Sequence, residues 1–113
     1  MKWYGISGSR LSTNERVEND VRDFVRSVIE GGDGIVTGGA LGVDYFATDE
    51  VIKLDKTADK IKVYIPATLE AYAAHYRRRA EEKVISKEEA ETLISQLNLL
   101  QRLNPTALYE DYS

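Results

Sequence analysis

The chain has 113 residues, 42% of them hydrophobic and 30% charged, with a formal net charge of −4; it therefore suits one folded domain with one core, not a disordered or fibrous protein. The absence of cysteine excludes disulfides and cysteine-based catalytic or metal sites. The negative net charge makes nucleic acid an unfavourable partner. No apolar run reaches about 18 residues, so we expect a cytoplasmic protein with no membrane partner.

The first half of the chain alternates strand and helix patterns. KWYGIS, residues 2–7, predicts a strand that ends in the small-residue loop 7–10. From Val17 to Ile29 the apolar residues follow a helical period, Gly31-Gly32 closes that helix, and Ser12, Thr13 and Asn14 are alternative caps. The β-branched run 35–37 then predicts a second strand that is buried on both faces.

The middle of the chain continues the alternation. A second apolar stripe from Val43 to Leu54 predicts a helix, and IKVYIP, residues 61–66, predicts a third strand. Strands separated by amphipathic helices pair in parallel through right-handed crossovers. We therefore expect an α/β fold of the Rossmann-like class, a parallel β-α-β-α-β core with helices on the faces of the sheet and further helices at its C-terminal end.

Two more helices are predicted after the third strand. Thr68 can cap one, and Ser86-Lys87-Glu88-Glu89 is a capping box for the other, which Asn104-Pro105 ends. Three parallel strands leave two exposed edges, so either another chain completes the sheet or residues 1–113 are the front part of a longer domain. The leucine-rich stripe 93–100 is either core or an interface, and we expect a homo-oligomer.

Glycines cluster in the two loops that follow the first two strands. The loop 7–10 leaves the first strand, and Gly38-Gly39-Ala40-Leu41-Gly42 leaves the second, so the two loops should be neighbours at the edge of the sheet where strand order reverses. Glycine lets main-chain N–H groups approach an anion, and a helix N-terminus attracts negative charge. The pattern favours a phosphate at this edge, where a side chain at Gly39 would occupy the place of the anion; the alternative is that the glycines only make a tight turn.

The two stretches GISGSR and GIVTGGALGVDYFA together resemble the SLOG superfamily. This superfamily joins the cytokinin-activating phosphoribohydrolases, the LOG proteins, to the Rossmann-like domain of the DNA-processing protein A family. The second stretch is especially similar to the latter, in which a strand runs into a Gly-Gly-Ala-x-Gly-hydrophobic-Asp segment. The resemblance covers about residues 2–67, a little over half of the chain.

The resemblance implies a pocket for a nucleotide or a nucleotide-derived phosphate ligand. Its residues are Gly8, Ser9 and Arg10 in the first loop and Gly38, Gly39 and Gly42 in the second. The phosphoribohydrolases also carry a Pro-Gly-Gly-x-Gly-Thr-x-x-Glu motif whose glutamate belongs to the catalytic site, and nothing like it follows Pro66. We therefore expect a binding module that acts as a sensor or carrier, and name no catalytic residue.

Other residues of the two loops have two interpretations each. Ser7 approaches the ligand from the first loop, and Arg10 either clamps a phosphate or is a solvated loop charge. Ala40 belongs to the main chain that holds the anion. Asp44 either caps the second helix or contacts a ribose hydroxyl, and Thr37 turns its hydroxyl to the ligand or simply continues the strand.

Two further hypotheses remain beside the binding module. The first, which the resemblance to the LOG proteins implies, is an enzyme that cleaves the N-glycosidic bond of a nucleoside monophosphate, with Asp44 or Glu70 as its carboxylate. The second is single-stranded DNA binding, for which the run Arg77-Arg78-Arg79 would have to serve, although such a run is usually a solvated helix face. His75, the only histidine, has no partner pattern for catalysis, and we expect no metal site and no cofactor.

Overall fold

A computed structural model of the chain describes residues 1–8 and 14–112, which form a four-stranded parallel sheet and four helices. The strands are β1 (Trp3–Gly5), β2 (Gly34–Thr37), β3 (Ile61–Tyr64) and β4 (Leu108–Tyr109). The helices are α1 (Glu15–Glu30), α2 (Val43–Leu54), α3 (Leu69–Glu81) and α4 (Lys87–Leu103). The predicted α/β fold of the Rossmann-like class is confirmed.

The helix boundaries follow local capping chemistry. Of the three candidates for the cap of α1, Asn14 accepts a hydrogen bond from the main-chain N–H of Val17 at 2.9 Å, while Ser12 and Thr13 lie outside the described residues. Both halves of the capping box between Ser86 and Glu89 are formed at α4. These bonds satisfy N–H groups that have no partner inside a helix, so α1 and α4 begin where the sequence supplies an acceptor.

The expectation of three strands was wrong, because a fourth strand extends the sheet. β4 pairs in parallel with β3, with Leu108 beside Val63 and Tyr109 beside Tyr64. A strand of two residues carries no periodicity that a sequence pattern could detect. The chain reaches it through a short 3-10 helix, Pro105–Ala107, which follows directly after α4.

The strands lie in the order β1-β2-β3-β4, so the reversal of strand order that we expected beside the glycine loops is not present among the described strands. Crossovers of one hand that all step in the same direction place their helices on one face of the sheet. The helices that we expected on the faces of the sheet therefore lie on one of its two faces. The other face carries Trp3, Val36, Lys62, Tyr64 and Tyr109, none of which is fully buried.

The core lies between the sheet and the helices. Ile35, Ile61 and Val63 point from the sheet into it and are at most 1% exposed. From α4, Leu93 and Leu100 are fully buried and Leu97 is 1% exposed. The leucine-rich stripe therefore belongs to the core of this chain and is not available as an interface.

Candidate ligand-binding site

The two glycine loops lie side by side, as their positions after neighbouring strands predict. β1 pairs with β2, and just beyond β1 the N–H of Ile6 donates to the carbonyl of Val36 at 2.9 Å. Gly8 lies against α2, since a β-carbon placed on it would be 2.8 Å from Cγ2 of Val43. Ser7 is exposed beside it, and Ser9 and Arg10 lie outside the described residues. The first loop therefore reaches the N-terminus of α2.

Within the second loop, Gly39 serves the core and not an open anion site. It has a φ of +74°, and a β-carbon there would be 2.7 Å from Cγ2 of Ile65 and 3.0 Å from Cγ1 of Val63. Its carbonyl accepts a hydrogen bond from the buried hydroxyl of Tyr72 at 3.1 Å. Our expectation that a side chain at Gly39 would occupy the place of an anion is thus wrong, because that side chain would enter the core.

The N-terminus of α2 has no side-chain cap. Its cap residue is Gly42, with a φ of +83°, and no side chain of residues 1–8 or 14–112 caps the first turn there. The main-chain N–H groups of this turn therefore have no partner within the helix, and the positive end of the helix dipole lies beside Gly8. Gly38, which precedes Gly42 in the loop, is exposed to solvent.

A cavity of about 410 Å³ opens next to Gly42, between the first turns of α2 and α4. Its lining residues are Leu41, Gly42, Tyr45, Phe46, Ser86, Glu88, Glu89 and Thr92. The two glutamates make this cavity unfavourable for a phosphate and favourable for hydroxyl or amino groups that donate hydrogen bonds. The only sequence signal for Ser86, Glu88 and Glu89 was the capping box at the start of α4, which gave no indication that they border the glycine loop.

Asp44, the second residue of α2, is 6% exposed and folds back onto the glycine loop. Its Oδ2 accepts a hydrogen bond from the N–H of Ala40 at 3.3 Å, and the N–H of Gly38 also donates to the carboxylate. Asp44 therefore holds the loop and does not cap the helix. Its Oδ1 is buried and has no hydrogen-bond partner within the part of the chain that the structure describes.

Burial raises the pKa of Asp44 above its ordinary value, and the two N–H groups of Ala40 and Gly38 oppose this only in part. A buried acceptor without a partner costs about 1 to 3 kcal/mol, and more when it is charged. The carboxylate consequently destabilises the fold, and a donor group placed against Oδ1 would remove this cost.

Thr37 is buried at the end of β2, and its hydroxyl lies 3.2 Å from the hydroxyl of Thr48 on α2. Thr48 in turn donates to the main-chain carbonyl of Asp44 at 2.9 Å. These contacts engage the Thr37 hydroxyl with α2, so that it fixes the position of the helix relative to the strand.

The remaining candidates lie apart from the loop. Arg77 on α3 forms an ion pair with Glu91 on α4 at 3.1 Å. The ring of His75 contacts the ring of Tyr76 edge to face. Glu70 borders a different depression, together with Asn98 and Glu110.

Comparison with known proteins identifies no relative of this chain: no family model matches, and no curated protein or solved structure does. None of the helices described here is long and apolar enough to cross a membrane. Within residues 1–8 and 14–112, no three acidic, histidine or cysteine side chains are grouped so that they could hold a metal ion.

Proposed function

We propose that this chain binds a nucleotide, or a related ligand with a phosphate and free hydroxyl groups, at the N-terminus of α2, as a sensor or carrier of the SLOG type. The observation that carries the proposal is Asp44, a buried carboxylate whose Oδ1 has no partner among the described residues. Such an oxygen is the acceptor that a ligand hydroxyl requires. The cytoplasmic location expected from the sequence is part of this proposal.

The surroundings of Asp44 support a ligand with two kinds of group. The uncapped first turn of α2, beside Gly8, offers N–H groups and a favourable dipole to a phosphate. The cavity beside Gly42 contains Glu88 and Glu89, which suit the hydroxyl and amino groups of a nucleoside. Because Asp44 is already bonded to the N–H of Ala40, we assign the phosphate to the helix N-terminus and not to the amides of the loop.

Binding can be tested by thermal unfolding with a panel of nucleoside 5′-monophosphates, the parent nucleosides and inorganic phosphate. A monophosphate at 100 times its dissociation constant should add about 2.7 kcal/mol of stability, which raises the unfolding temperature by about 10 °C for a domain of this size. The nucleosides and inorganic phosphate should each have a smaller effect. The proposal fails if no monophosphate raises the unfolding temperature, or if inorganic phosphate alone raises it as much.

The hydrolase hypothesis has one physical argument in its favour: burial raises the pKa of Asp44, and a raised pKa brings a carboxyl group closer to the range in which a general acid is effective. Glu70, its other carboxylate candidate, borders a different depression from the one beside Gly42. The same monophosphates, incubated with the protein and separated by chromatography, distinguish the two: release of free base indicates the enzyme, and intact nucleotide indicates binding only.

Replacement of Asp44 by asparagine should stabilise the free protein and weaken nucleotide binding. The folded pKa of Asp44 is above its unfolded value, so the stability that its neutral form provides is present at low pH and is lost as pH rises through the folded pKa. The asparagine side chain stays neutral at every pH. The free energy of unfolding of D44N should therefore exceed that of the wild type by about 1 kcal/mol at pH 7, and this difference should shrink toward pH 4. Chemical denaturation at a series of pH values measures it.

A suitable control is Asp20→Asn, since Asp20 is exposed on α1 and should change neither stability nor binding. A D44N protein that is less stable than the wild type at pH 7 would show that the Asp44 carboxylate is a structural group. A D44N protein that binds the monophosphate as tightly as the wild type would show that the Asp44 carboxylate does not contribute to binding.

A further inference from the structure

A second cavity, of about 450 Å³, continues the cavity beside Gly42 along the groove between α2 and α4. Tyr45, Glu88 and Thr92 border both cavities. Along α4 the lining of the second cavity extends from Glu88 to Leu99, a distance of about 16 Å on the helix axis. The nucleoside groups of the proposed ligand require only the first cavity, so the second has no occupant in the proposed function.

Gln96 borders the second cavity and carries a buried acceptor that has no partner. The residue is 7% exposed, and its Nε2 donates to the main-chain carbonyl of Tyr45 at 3.0 Å, so that the amide extends from α4 to α2. Its Oε1 makes no hydrogen bond within residues 1–8 and 14–112. Because a buried acceptor without a partner destabilises a fold, this oxygen favours a ligand that donates a hydrogen bond.

The charged groups that border the groove are all acidic. Asp49, Glu88 and Glu91 border the second cavity, and no lysine, arginine or histidine of the described residues borders either cavity. Asp49 and Glu91 each form an ion pair with an arginine outside the lining. Glu88 is exposed and makes no hydrogen bond or ion pair with the part of the chain that the structure describes. Glu88 is therefore the carboxylate that is open to a cation.

The groove also offers apolar surface beside these acceptors. Ile52 on α2 and Leu99 on α4 border the second cavity, and Leu99 is 37% exposed. The side chain of Tyr45 borders both cavities, and an aromatic ring attracts a cation placed over its face. A ligand that suits this lining has positive charge, N–H donors and an aliphatic portion.

We propose that the groove binds a linear polyamine, whose positively charged nitrogens donate to Glu88 at one end and to Oε1 of Gln96 at the other. An ammonium group has three N–H donors and no acceptor, which suits a lining that offers unpartnered acceptors and negative charge. Glu88 and Gln96 lie about 12 Å apart along the axis of α4, so one ammonium group does not reach both. The methylene chain between the nitrogens lies against Tyr45. This site goes beyond the proposed nucleotide site, since it requires neither Asp44 nor the N-terminus of α2.

Titration calorimetry with spermidine, in the absence of any nucleotide, tests the site at amine concentrations up to about 10 mM, well above a millimolar dissociation constant. Spermidine should bind saturably with one molecule per chain. Magnesium chloride supplies the charge without the aliphatic chain, and 1,8-octanediol supplies the chain without the charge, so each should bind more weakly. The proposal is overturned if spermidine does not bind, or if magnesium chloride or the diol binds as tightly.

Two variants assign the binding to these residues. Glu88→Gln removes a charge-assisted hydrogen bond and should weaken spermidine binding about tenfold. Gln96→Met replaces the unpartnered oxygen with a side chain of similar length, and should weaken binding about fivefold in a protein that still folds. Glu30→Gln is the matched control, because Glu30 is exposed at the end of α1 and borders neither cavity.

The Glu30→Gln variant should bind spermidine as the wild type does. The proposal is overturned if Glu88→Gln and Gln96→Met both keep the affinity of the wild type, or if Glu30→Gln loses as much affinity as Glu88→Gln. Gln96 borders only the second cavity, so Gln96→Met should leave the response to nucleoside monophosphates unchanged. The polyamine site and the nucleotide site therefore succeed or fail independently.

Discussion

Replacement of Gly39 by valine should remove a large part of the stability of the fold. A side chain at this position must adopt a φ of +74° and would place its β-carbon 2.7 Å from Cγ2 of Ile65. The left-handed backbone costs about 1 to 2 kcal/mol for a residue with a β-carbon, and overpacking of a filled core costs about 1 to 3 kcal/mol more. A loss of about 4 kcal/mol is a large part of the 5 to 15 kcal/mol by which domains are stable.

Alanine substitutions allow the loss to be measured in proteins that still fold. Gly39→Ala should lower the free energy of unfolding by about 3 kcal/mol in urea denaturation. Gly31→Ala is the matched control, because Gly31 has a φ of −78° and a β-carbon there would be 3.4 Å from its nearest neighbour. Its stability should change by less than about 0.5 kcal/mol. Equal stability of the two variants would refute the structural role of Gly39.

Gly39 also illustrates how far the sequence can predict this site. The glycine run after a strand correctly indicated a tight turn that leads into a helix N-terminus. Whether a side chain at a glycine would enter the core depends on which residues of other elements surround it. At Gly39 these are Val63, Ile65 and Leu97, which no local sequence pattern identifies. For this reason the glycines of one loop serve different purposes, with Gly39 packed on the core and Gly42 opening the helix.

The long elements were predictable because their signals are local and repeated. The apolar period of α1 and the capping box at Ser86 each specify a helix within a few residues. β2 contains the β-branched run 35–37, and β3 alternates β-branched residues with Lys62 and Tyr64. β4 was missed because two residues, Leu108 and Tyr109, become a strand only by pairing with β3. The open face of the sheet was missed for a related reason, since strand order is a property of the assembled sheet.

Asp44 was identified from sequence as a polar residue at a helix start, with two interpretations. What the sequence could not supply was its burial, or the fact that Gly38 and Ala40 turn their N–H groups toward it. The proposed ligand role depends on that burial, because an exposed carboxylate would satisfy both of its oxygens with water.

Replacement of Arg22 by methionine should lower the free energy of unfolding by about 3 kcal/mol. The Arg22 guanidinium joins α1 to α2: it donates to Glu18 at 2.9 Å, to Asp49 at 2.8 Å and to Glu50 at 3.0 Å. The Glu50 side chain is only 7% exposed, and its other ion-pair contact, to Arg26, is longer, at 3.4 Å. Removing one partner of a buried ion pair leaves a desolvated charge, which is far more costly than losing an exposed pair.

The electrostatics of the ion-pair cluster formed by Arg22 with Glu18, Asp49 and Glu50 support the expected loss of stability. Burial alone would lower the pKa of Arg22, but its hydrogen bonds to Asp49, Glu18 and Glu50 outweigh it and hold that pKa above its ordinary value. The charged guanidinium is therefore favoured in the folded protein, and its loss leaves the acidic side chains with fewer donors.

A double variant separates the charge from the packing of the Arg22 side chain. Combining Arg22→Met with Glu50→Leu removes both buried charges, and it should recover most of the stability that Arg22→Met loses, a coupling that a double-mutant cycle in urea measures directly. Arg77→Met is the matched control, because Arg77 and Glu91 form a pair that is 55% and 43% exposed, and its loss should cost less than about 1 kcal/mol. If Arg22→Met costs no more than Arg77→Met, the cluster does not stabilise the packing of α1 on α2.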